Sequence, residues 1–448
     1  MNYAVIGAGW AGCSAAVELT RRGHQVQLYE ASRTLGGRAR QVNIHGLMLD
    51  NGQHILLGAY SATLALFKTL GIQTADALLR LPLQMCYPQQ GSGIQFIAPK
   101  LPAPLHLLGA LLNARGLSRA DKMALARFSS TARWMGWQLD TDCSVAELLD
   151  RFDQTDHLIQ LLWRPLCIAA LNTPMERASA QVFLNVLKDS LGARRSASDM
   201  LITRTDLSSL LPQPAADFIQ THGGQVHLGC AVKALQSIQG QEQQQWQLTL
   251  KNHVQPEACK FDGIIIATPS ESVIELLTPL DLAHHIPAFD YEAITTCYLK
   301  YPPGTQLTRP FLALIDQPEM SAWGQFVFDR GQLVAGSNPA HDGLFAVVIS
   351  ASNAAIANGH AELADQCARQ LARDLNRPEL ALPEWSQVIS EKRATFACTP
   401  GLLRPSNQLP ITGLALAGDY TECRYPATLE SAVQSGVIAA KLLSPSAR

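Results

Sequence analysis

The sequence predicts an α/β fold in which a Rossmann-like dinucleotide-binding domain is interleaved with a mixed α+β domain. An apolar run at 3–7 and a strand pattern at 25–30 flank a helical pattern at 11–22, and the three together form a strand–helix–strand unit. Further buried-strand patterns occur at 260–268 and 411–417, separated from the first by helical and mixed segments. One domain is therefore expected to be assembled from segments that lie far apart in the chain.

The length of 448 residues allows about three units of ~150 residues, which the interleaved pattern reduces to two domains. We predict a nucleotide-binding domain made of residues 1–75, 200–285 and 400–448. Residues 76–199 and 286–399 are predicted to form the substrate-binding domain.

The remaining strands and helices are predicted from residue periodicity and from the residues that end each element. Residues 225–250 resemble two antiparallel strands, and Pro269 stops the strand before it. Spacing typical of helices occurs in seven further segments: 61–70, 105–113, 118–137, 144–151, 156–163, 361–374 and 428–443.

The composition excludes several classes of protein. Charged residues make up 16% of the chain, below the roughly 25% of a typical soluble domain, and the net charge is −2. Nucleic-acid binders normally carry a basic excess, so no nucleic acid is expected as a partner. The ten cysteines show no zinc-ligand spacing, and no metal site is predicted. Residues 1–6 run directly into a fold motif and do not resemble a signal peptide, which favours a cytoplasmic location.

The turn after the first strand carries a dinucleotide fingerprint. Gly7, Gly9 and Gly12 read G-x-G-x-x-G between strand and helix. This arrangement provides a tight turn, a close approach of backbone to a pyrophosphate, and tight helix–strand packing. Glu30 ends the second strand, where its carboxylate can accept hydrogen bonds from ribose hydroxyls.

A second phosphate contact distinguishes between dinucleotides. Gly37 and Arg38 follow Glu30 closely, and the guanidinium offers a fixed fork for phosphate oxygens. The alternative for Arg38 is an ion pair with a nearby acid. A nicotinamide enzyme does not need this contact, whereas an FAD enzyme must direct the flavin inward, so FAD is the predicted cofactor.

The other end of the cofactor is predicted to lie near the last strand. Gly418 and Asp419 follow it directly, which suits a ribityl hydroxyl or a water bound to pyrophosphate. Thr428 and Leu429 then begin a helix whose free N–H groups can stabilise the negative charge of reduced flavin. The alternative for this helix start is ordinary capping by Thr428 with Ser431 nearby.

Five motifs together resemble the flavin amine oxidase and phytoene desaturase superfamily. They are GAGWAG (7–12), LGGRAR (35–40), LDNGQH (49–54), AGDY (417–420) and PATLESAVQSG (426–436). Three longer stretches narrow the resemblance to the hydroxysqualene dehydroxylase family. They are DNGQHILLGAY (50–60), WRPLCIAALNTPMERASAQVFLNVLKDSL (163–191) and YPATLESAVQSG (425–436). The resemblance covers the whole chain and implies a glutathione-reductase-type FAD-binding domain.

The resemblance also assigns positions to the cofactor site. Gly7, Gly9, Gly12, Glu30, Gly37 and Arg38 match the adenosine and pyrophosphate site, and Gly418, Asp419, Thr428 and Leu429 match the flavin segment. Val232 matches a position whose backbone meets adenine. Ala427 departs from the glycine of many members. Cys398 lacks the motif that surrounds a flavin-linked cysteine, so non-covalent FAD is expected.

The resemblance to this family implies a reductive dehydroxylation of a C30 isoprenoid alcohol, hydroxysqualene, to squalene. Such a reaction needs a general acid, a hydride from reduced flavin and an external electron donor. His54, Asp50 and Arg164 are the catalytic candidates. Their alternatives are a structural histidine, a residue that holds its loop and a helix anchor. Aromatic side chains can stabilise a cation, and the candidates are Trp134, Trp137, Trp163, Trp323, Phe326, Tyr420 and Tyr425.

Residues 101–133 form a candidate membrane-docking segment, because leucines precede a basic stretch. Peripheral contact with the inner face of the cell membrane is therefore expected. The alternative is an amphipathic helix that covers the substrate-binding domain. No apolar run is long enough for a spanning helix.

Two other enzyme activities and one non-enzymatic role remain open at this level. A carotenoid-type desaturase moves a hydride in the opposite direction, which motifs cannot distinguish, and a flavin amine oxidase shares the cofactor motifs. The same fold also occurs in prenyl-binding escort proteins that have lost flavin. Intact motifs at both ends of the cofactor argue against this last role.

Overall fold

The computed structural model describes residues 1–88, 93–103, 105–239, 244–251, 260–334 and 339–445. The strands in these ranges are β1 Asn2–Ile6, β2 Gln25–Glu30, β3 Gln41–Ile44, β4 Leu47–Asp50, β5 Ile55–Leu57, β6 Leu78–Leu81, β7 Gln84–Cys86, β8 Gln95–Ile97, β9 Met200–Thr203, β10 Gln225–Leu228, β11 Val232–Gln239, β12 Gln244–Leu250, β13 Lys260–Phe261, β14 Gly263–Ile266, β15 Tyr291–Lys300, β16 Phe311–Ala313, β17 Phe326–Asp329, β18 Leu344–Ser350, β19 Trp385–Phe396 and β20 Leu414–Leu416.

The α-helices in the same ranges are α1 Trp10–Arg21, α2 Ser61–Thr69, α3 Thr74–Ala77, α4 Leu105–Asn113, α5 Arg119–Trp134, α6 Val145–Arg151, α7 Asp156–Leu158, α8 Arg164–Leu171, α9 Ala180–Ser190, α10 Leu207–Leu210, α11 Pro212–Thr221, α12 Ser270–Leu277, α13 Arg330–Leu333, α14 His360–Asp374 and α15 Leu429–Leu443. A π-helical turn, Ile159–Trp163, joins α7 to α8.

The cofactor side of the molecule is built on a five-stranded parallel sheet in the order β10-β2-β1-β14-β20. Strands β1 and β14 are almost entirely apolar and buried, as expected where helices cover both faces of a parallel sheet. The predicted α/β fold with a Rossmann-like domain is confirmed. All five strands lie within 1–75, 200–285 and 400–448, while the domain boundaries themselves stay a prediction.

Helices α1 and α15 pack closely beside this sheet. A Cβ atom added to Gly436 would lie 2.1 Å from both the carbonyl oxygen of Ala11 and Oγ of Ser14. The Ser14 hydroxyl also donates to the carbonyl of Val433 at 3.1 Å. These contacts fix the C-terminal helix against the N-terminal one.

A second five-stranded sheet, in the order β16-β17-β18-β15-β19, is antiparallel throughout. Strand β15 is ten residues long and lies between β18 and β19. Its neighbour α14 buries one face against this sheet through Leu363, Cys367 and Leu371. The two sheets share one buried cluster, which includes Ile6 and Ile264 of the parallel sheet and Tyr298 and Phe328 of the antiparallel sheet.

The prediction of two antiparallel strands over 225–250 was wrong in part. Residues 225–228 form β10, which joins the parallel sheet beside β2, and only β11 and β12 pair antiparallel. Gly229 has φ +69° and separates the two strands, so the chain changes direction there. Among the described residues, no helix is both long and apolar enough to cross a bilayer.

Candidate functional site

The turn between β1 and α1 is packed so tightly that its glycines have distinct roles. Gly7 has φ +100°, and an added Cβ would lie 2.5 Å from the carbonyl oxygen of Ala267. At Gly12 an added Cβ would lie 1.8 Å from the carbonyl oxygen of Gly7. At Gly9 the nearest heavy atom would be the Cα of Gly37, 4.0 Å away. Gly7 and Gly12 therefore allow backbone segments to pack closely, whereas Gly9 leaves open space next to the turn.

Glu30 ties the end of β2 to this turn. One of its carboxylate oxygens accepts the Ala8 N–H at 2.7 Å, and the other accepts the Ser32 N–H at 2.9 Å. A carboxylate has further lone pairs, so these two bonds leave Glu30 able to accept from a ribose hydroxyl.

Val232 is brought towards Glu30 by the chain that precedes it. The N–H of Cys230 donates to the Glu30 carbonyl at 2.8 Å, two residues before β11 begins. Val232 itself is half-buried and pairs with Leu250. This places it at the end of the site expected to hold the adenosine, although its contact with adenine stays a prediction.

Gly37 and Arg38 connect the glycine turn with the C-terminal part of the site. Gly37 has φ +61° and packs its backbone against Gly9. Arg38 forms an ion pair with Asp419, with 2.7 Å between Nη2 and Oδ1. Its other terminal nitrogen donates to the carbonyl of Ala394 at 2.6 Å. The Asp419 carboxylate raises the pKa of Arg38, which holds its positive charge between the two predicted halves of the site.

The predicted flavin segment surrounds the start of α15. Thr428 caps this helix, because its hydroxyl accepts the Ser431 N–H at 3.1 Å, and Leu429 is the first helical residue. The Gly418 N–H donates to Oγ of Ser435 at 2.9 Å. A Cβ on Gly418 would collide with the Tyr420 ring at 2.3 Å. Only glycine therefore allows this ring to pack beside the end of β20.

Arg404 holds this segment in place, and the sequence reasoning missed it. Its guanidinium donates to the carbonyls of Asp419 at 2.5 Å, Cys423 at 2.9 Å and Tyr425 at 2.6 Å. It also lies 4.8 Å from the centre of the Phe396 ring. Sequence alone gives no signal for it, since its partners are backbone carbonyls.

Asp50 lies beneath the loop that follows β4. Its side chain is fully buried, and Oδ1 accepts the Leu207 N–H at 2.8 Å. Oδ2 has no hydrogen-bond partner in the described part of the chain. Burial raises the pKa of Asp50 to about 6, although the positive charge of Arg330 acts in the opposite direction. The Tyr298 hydroxyl donates to the Asp50 carbonyl at 2.9 Å. These contacts support the alternative that Asp50 holds its loop.

His54 lies at the far end of the same loop and is only partly buried. Its Nδ1 lies 2.7 Å from the Gly52 carbonyl oxygen. Burial lowers the pKa of His54, and the positive charge of Arg38 lowers it further. A neutral ring with Nδ1–H donating to Gly52 leaves Nε2 as an acceptor. His54 can donate a proton from Nε2 only when it is charged.

Arg164 is the first residue of α8 and is separate from these two. No hydrogen bond or ion pair among the described residues joins it to His54 or Asp50. Its charge instead lowers the pKa of Asp316, which burial raises. The three catalytic candidates are thus not shown to form one cluster.

The aromatic candidates separate by exposure and by partners. Trp134 is 87% exposed, so it does not have the water-excluded surroundings that a cation-stabilising ring needs. Trp163 is buried in the core, where it donates to Gln154 at 2.9 Å. Tyr420 is buried next to Gly418, and its hydroxyl has no partner among the residues described. Tyr420 directly follows Asp419 of the predicted flavin segment.

Comparison with known proteins identifies the kind of protein to which these features belong. The family described as flavin-containing amine oxidoreductase matches residues 10–444. The chain belongs to the flavin-containing amine oxidoreductase family. It is 29% identical to the hydroxysqualene dehydroxylase of Rhodopseudomonas palustris and 27% identical to that of Zymomonas mobilis. Each comparison covers at least 98% of both chains. The zeta-carotene desaturase of Synechocystis is 24% identical over 99% of this chain and 97% of its own length.

Solved structures of this fold confirm the architecture. An oxidoreductase from Methanosarcina mazei has a TM-score of 0.68 at 16% identity, covering 99% of this chain and 100% of its own. Cyclohexylamine oxidase from Brevibacterium oxydans has a TM-score of 0.64 at 18% identity, covering 99% and 98%. The predicted resemblance, the predicted FAD cofactor and the assignment as an FAD-dependent oxidoreductase are confirmed.

The residues present fit FAD. Gly9 caps α1 without a side chain and leaves open space above the first-turn N–H groups, as a pyrophosphate requires. The Thr268 hydroxyl, beside Gly7, is buried and unpartnered within the described ranges. Arg38 adds a positive charge, and Glu30 adds acceptor oxygens. The assignment of individual residues to parts of FAD stays a prediction.

Proposed function

We propose that this flavoenzyme reduces hydroxysqualene to squalene by replacing a C–OH bond with a C–H bond. The observation that carries the proposal is the full-length similarity to hydroxysqualene dehydroxylases from three bacteria, at 26–29% identity. The intact cofactor residues at both ends of the site, joined by Arg38 and Asp419, support a redox role. When bound, FAD supplies the chemistry of hydride donation or acceptance.

The chain's own residues supply the remaining requirements. His54 reaches solvent and donates a proton to the leaving hydroxyl from Nε2, while Nδ1–H stays bound to Gly52. Asp50 is a positioning residue, because its bonds to Leu207 and Tyr298 fix the loop that carries His54.

Aromatic side chains beside the flavin segment supply the electrostatic support. The Tyr420 ring lies 6.1 Å from that of Phe289, which lies 5.7 Å from Phe396. Faces of such rings stabilise developing positive charge when water is excluded. Arg164 balances the charge of Asp316 and binds no reacting group in this scheme.

Electrons must enter from outside the chain, because its single dinucleotide fingerprint is assigned to FAD. We therefore propose an external electron donor as a second partner, beside the long-chain isoprenoid. The buried thiol of Cys398 supports non-covalent binding of the cofactor.

A second candidate function is carotenoid-type desaturation. It is favoured by the similarity to zeta-carotene desaturase at 24% identity over nearly the whole chain. Both reactions share the cofactor site and differ in the direction of hydride movement, so only products separate them.

The deciding experiment incubates the purified holoenzyme anaerobically with hydroxysqualene and chemically reduced flavin. We expect squalene by mass spectrometry, with one deuterium when the reductant is prepared in heavy water. A parallel incubation of oxidised enzyme with phytoene tests desaturation. Conversion of phytoene to more unsaturated products, with hydroxysqualene returned unchanged, would overturn the dehydroxylase proposal.

A further inference from the structure

One face of α4 carries a row of leucines that nothing in the described structure covers. Leu105, Leu108 and Leu112 are 48%, 50% and 65% exposed, whereas His106 and Ala110 of the same helix are fully buried. Spacings of three and four residues place these leucines on one side of a helix. A helix of a folded domain normally turns such a stripe inward.

Leu101 extends this row beyond the helix. A Cβ atom added to Gly109 would lie 2.7 Å from Cγ of Pro99 and 3.3 Å from Cδ1 of Leu101, so the side chain of Leu101 packs against α4. Leu101 is itself 43% exposed. The leucine row is hereafter Leu101, Leu105, Leu108 and Leu112; Pro104, within the same predicted segment, lies outside the described residues.

Basic residues edge the leucine row, and exposed acids are missing from this part of the chain. The sequence from 101 to 139 contains five Lys or Arg residues and one acidic residue, Asp121. Asp121 is buried, and its carboxylate accepts from Ser118 N–H at 2.9 Å and from the Thr155 hydroxyl at 2.5 Å. The surface charge of the segment is therefore positive, in a chain whose net charge is −2.

The charges lie at the C-terminal end of the leucine row. Nζ of Lys122 donates to the carbonyl of Leu112 at 3.0 Å, which places the start of α5 beside the end of α4. Arg115 lies between these two helices in sequence, Arg119 is the first residue of α5, and both are exposed. Apolar side chains thus project beside cationic ones on one continuous surface.

We propose that the leucine row and its flanking basic residues dock the protein on an anionic lipid bilayer. Leucines enter the boundary between headgroups and acyl chains, while Arg115, Arg119 and Lys122 contact anionic headgroups. A second copy of the chain is disfavoured as the occupant, because a two-fold contact would bring the same positive charges together. This proposal does not depend on the reaction proposed above.

The test is flotation of the purified holoenzyme with vesicles of phosphatidylcholine alone or with phosphatidylglycerol added. We expect binding to the mixed vesicles and at least tenfold weaker binding to phosphatidylcholine alone. Leu108→Gln and Leu112→Gln, singly and together, should weaken binding to mixed vesicles by about tenfold or more. Leu382→Gln is the matched control, since this leucine is 82% exposed elsewhere on the chain.

Variants of the basic residues test the electrostatic contribution to membrane docking. Arg115→Gln with Arg119→Gln should reduce binding to mixed vesicles by about tenfold and remove much of its salt dependence. Lys68→Gln with Lys441→Gln removes two exposed charges from other helices and should change nothing. An unchanged flavin content and unfolding temperature in each variant establish that folding is intact.

Three outcomes would overturn the proposal. The first is no binding of the wild-type protein to anionic vesicles. The second is equal loss of binding in Leu382→Gln and Leu112→Gln. The third is a dimer in sedimentation velocity that the leucine variants dissociate while vesicle binding is unchanged, which would make this surface an interface between copies.

Discussion

Arg38 and Asp419 are 381 positions apart in the chain, yet Nη2 of one lies 2.7 Å from Oδ1 of the other. Arg38 follows the glycine turn that begins the cofactor site, and Asp419 follows the last strand of the parallel sheet. Their ion pair joins the two ends of the predicted FAD site directly. Arg404 donates a hydrogen bond to the backbone carbonyl of the same Asp419.

Loss of either charge in this pair should weaken FAD binding. Arg38→Gln and Asp419→Asn each remove a charge-assisted hydrogen bond, worth about 1.5–3 kcal/mol, so FAD should bind roughly 10–100-fold more weakly. Titration of cofactor-depleted protein with FAD measures this. The double variant should lose less FAD-binding free energy than the two single variants lose together. Arg33→Gln, which changes an exposed neighbouring residue, should bind FAD normally. Strict additivity would show that the pair is not coupled in cofactor binding.

The three glycines of the turn should respond differently to alanine. Gly12→Ala forces a methyl group to within 1.8 Å of the Gly7 carbonyl, so we expect a loss of about 3 kcal/mol or more in unfolding free energy. Gly9→Ala meets no protein atom nearer than 4.0 Å and should fold normally, but its methyl group occupies the space assigned to the pyrophosphate. Flavin content and the unfolding midpoint of cofactor-free protein measure the two effects. A Gly9→Ala variant with full flavin content would contradict the assigned role.

Asp50 should make stability decrease as pH rises from about 4 to 6. Burial raises its pKa from 3.8 to about 6, so the unfolded chain releases this proton before the folded one does. The folded state is therefore penalised at higher pH, by about 3 kcal/mol at ~1.4 kcal/mol per pKa unit. Asp50→Asn should lack this decrease, whereas Asp76→Asn, on an exposed helix, should retain it. Urea unfolding from pH 4 to 8 gives the comparison, and parallel curves for the wild type and Asp50→Asn would contradict the prediction.

His54 should set the alkaline limb of the activity profile, on which the rate falls as pH rises. The pKa of its ring is lowered by burial, so a proton-donating His54 makes the rate fall as pH rises above that lowered value. His54→Gln should reduce turnover about 10²–10⁴-fold and remove this pH dependence, with flavin content unchanged. His222→Gln changes an exposed histidine and should leave the profile as it is. If His54→Gln lowered the rate by the same factor at every pH, His54 would be excluded as the proton donor.

FAD should be released completely when the protein is denatured. Burial raises the pKa of the Cys398 thiol to about 12, which keeps it protonated and unreactive. Acid precipitation should therefore leave a colourless pellet and all flavin in the supernatant. Cys398→Ala should hold the same amount of flavin, and Cys423→Ala serves as the control for the half-exposed thiol nearby. Yellow protein in the pellet would refute non-covalent binding.

Sequence motifs correctly predicted those parts of the fold that depend on neighbouring residues. A strand, a glycine turn and a helix in immediate succession placed Gly7, Gly9 and Gly12 correctly, because neighbouring residues determine such a turn. The switch of residues 225–228 into the parallel sheet could not be predicted, since it depends on pairing with β2, about 200 positions away.

Long-range contacts account for the other differences. Arg404 acts through backbone carbonyls that any sequence provides, so no residue pattern marks it. The exposure of Trp134 depends on which side of α5 the domain covers, which periodicity alone does not decide. The separation of Arg164 from His54 likewise depends on how α8 packs against the rest of the chain.

The parallel sheet also constrains the order of events during synthesis. Strands β1 and β2 are synthesised before the other strands, since β14 pairs with β1 only after residues 263–266 have left the ribosome and β20 pairs with β14 only after residues 414–416 have done so. Asp419 and the start of α15 emerge later still. The glycine turn therefore remains without its C-terminal counterpart until just over 400 further residues have been translated. FAD capture at this site therefore has to follow the synthesis of Asp419 and the start of α15, and the apolar strand edges exposed before it are prone to aggregation.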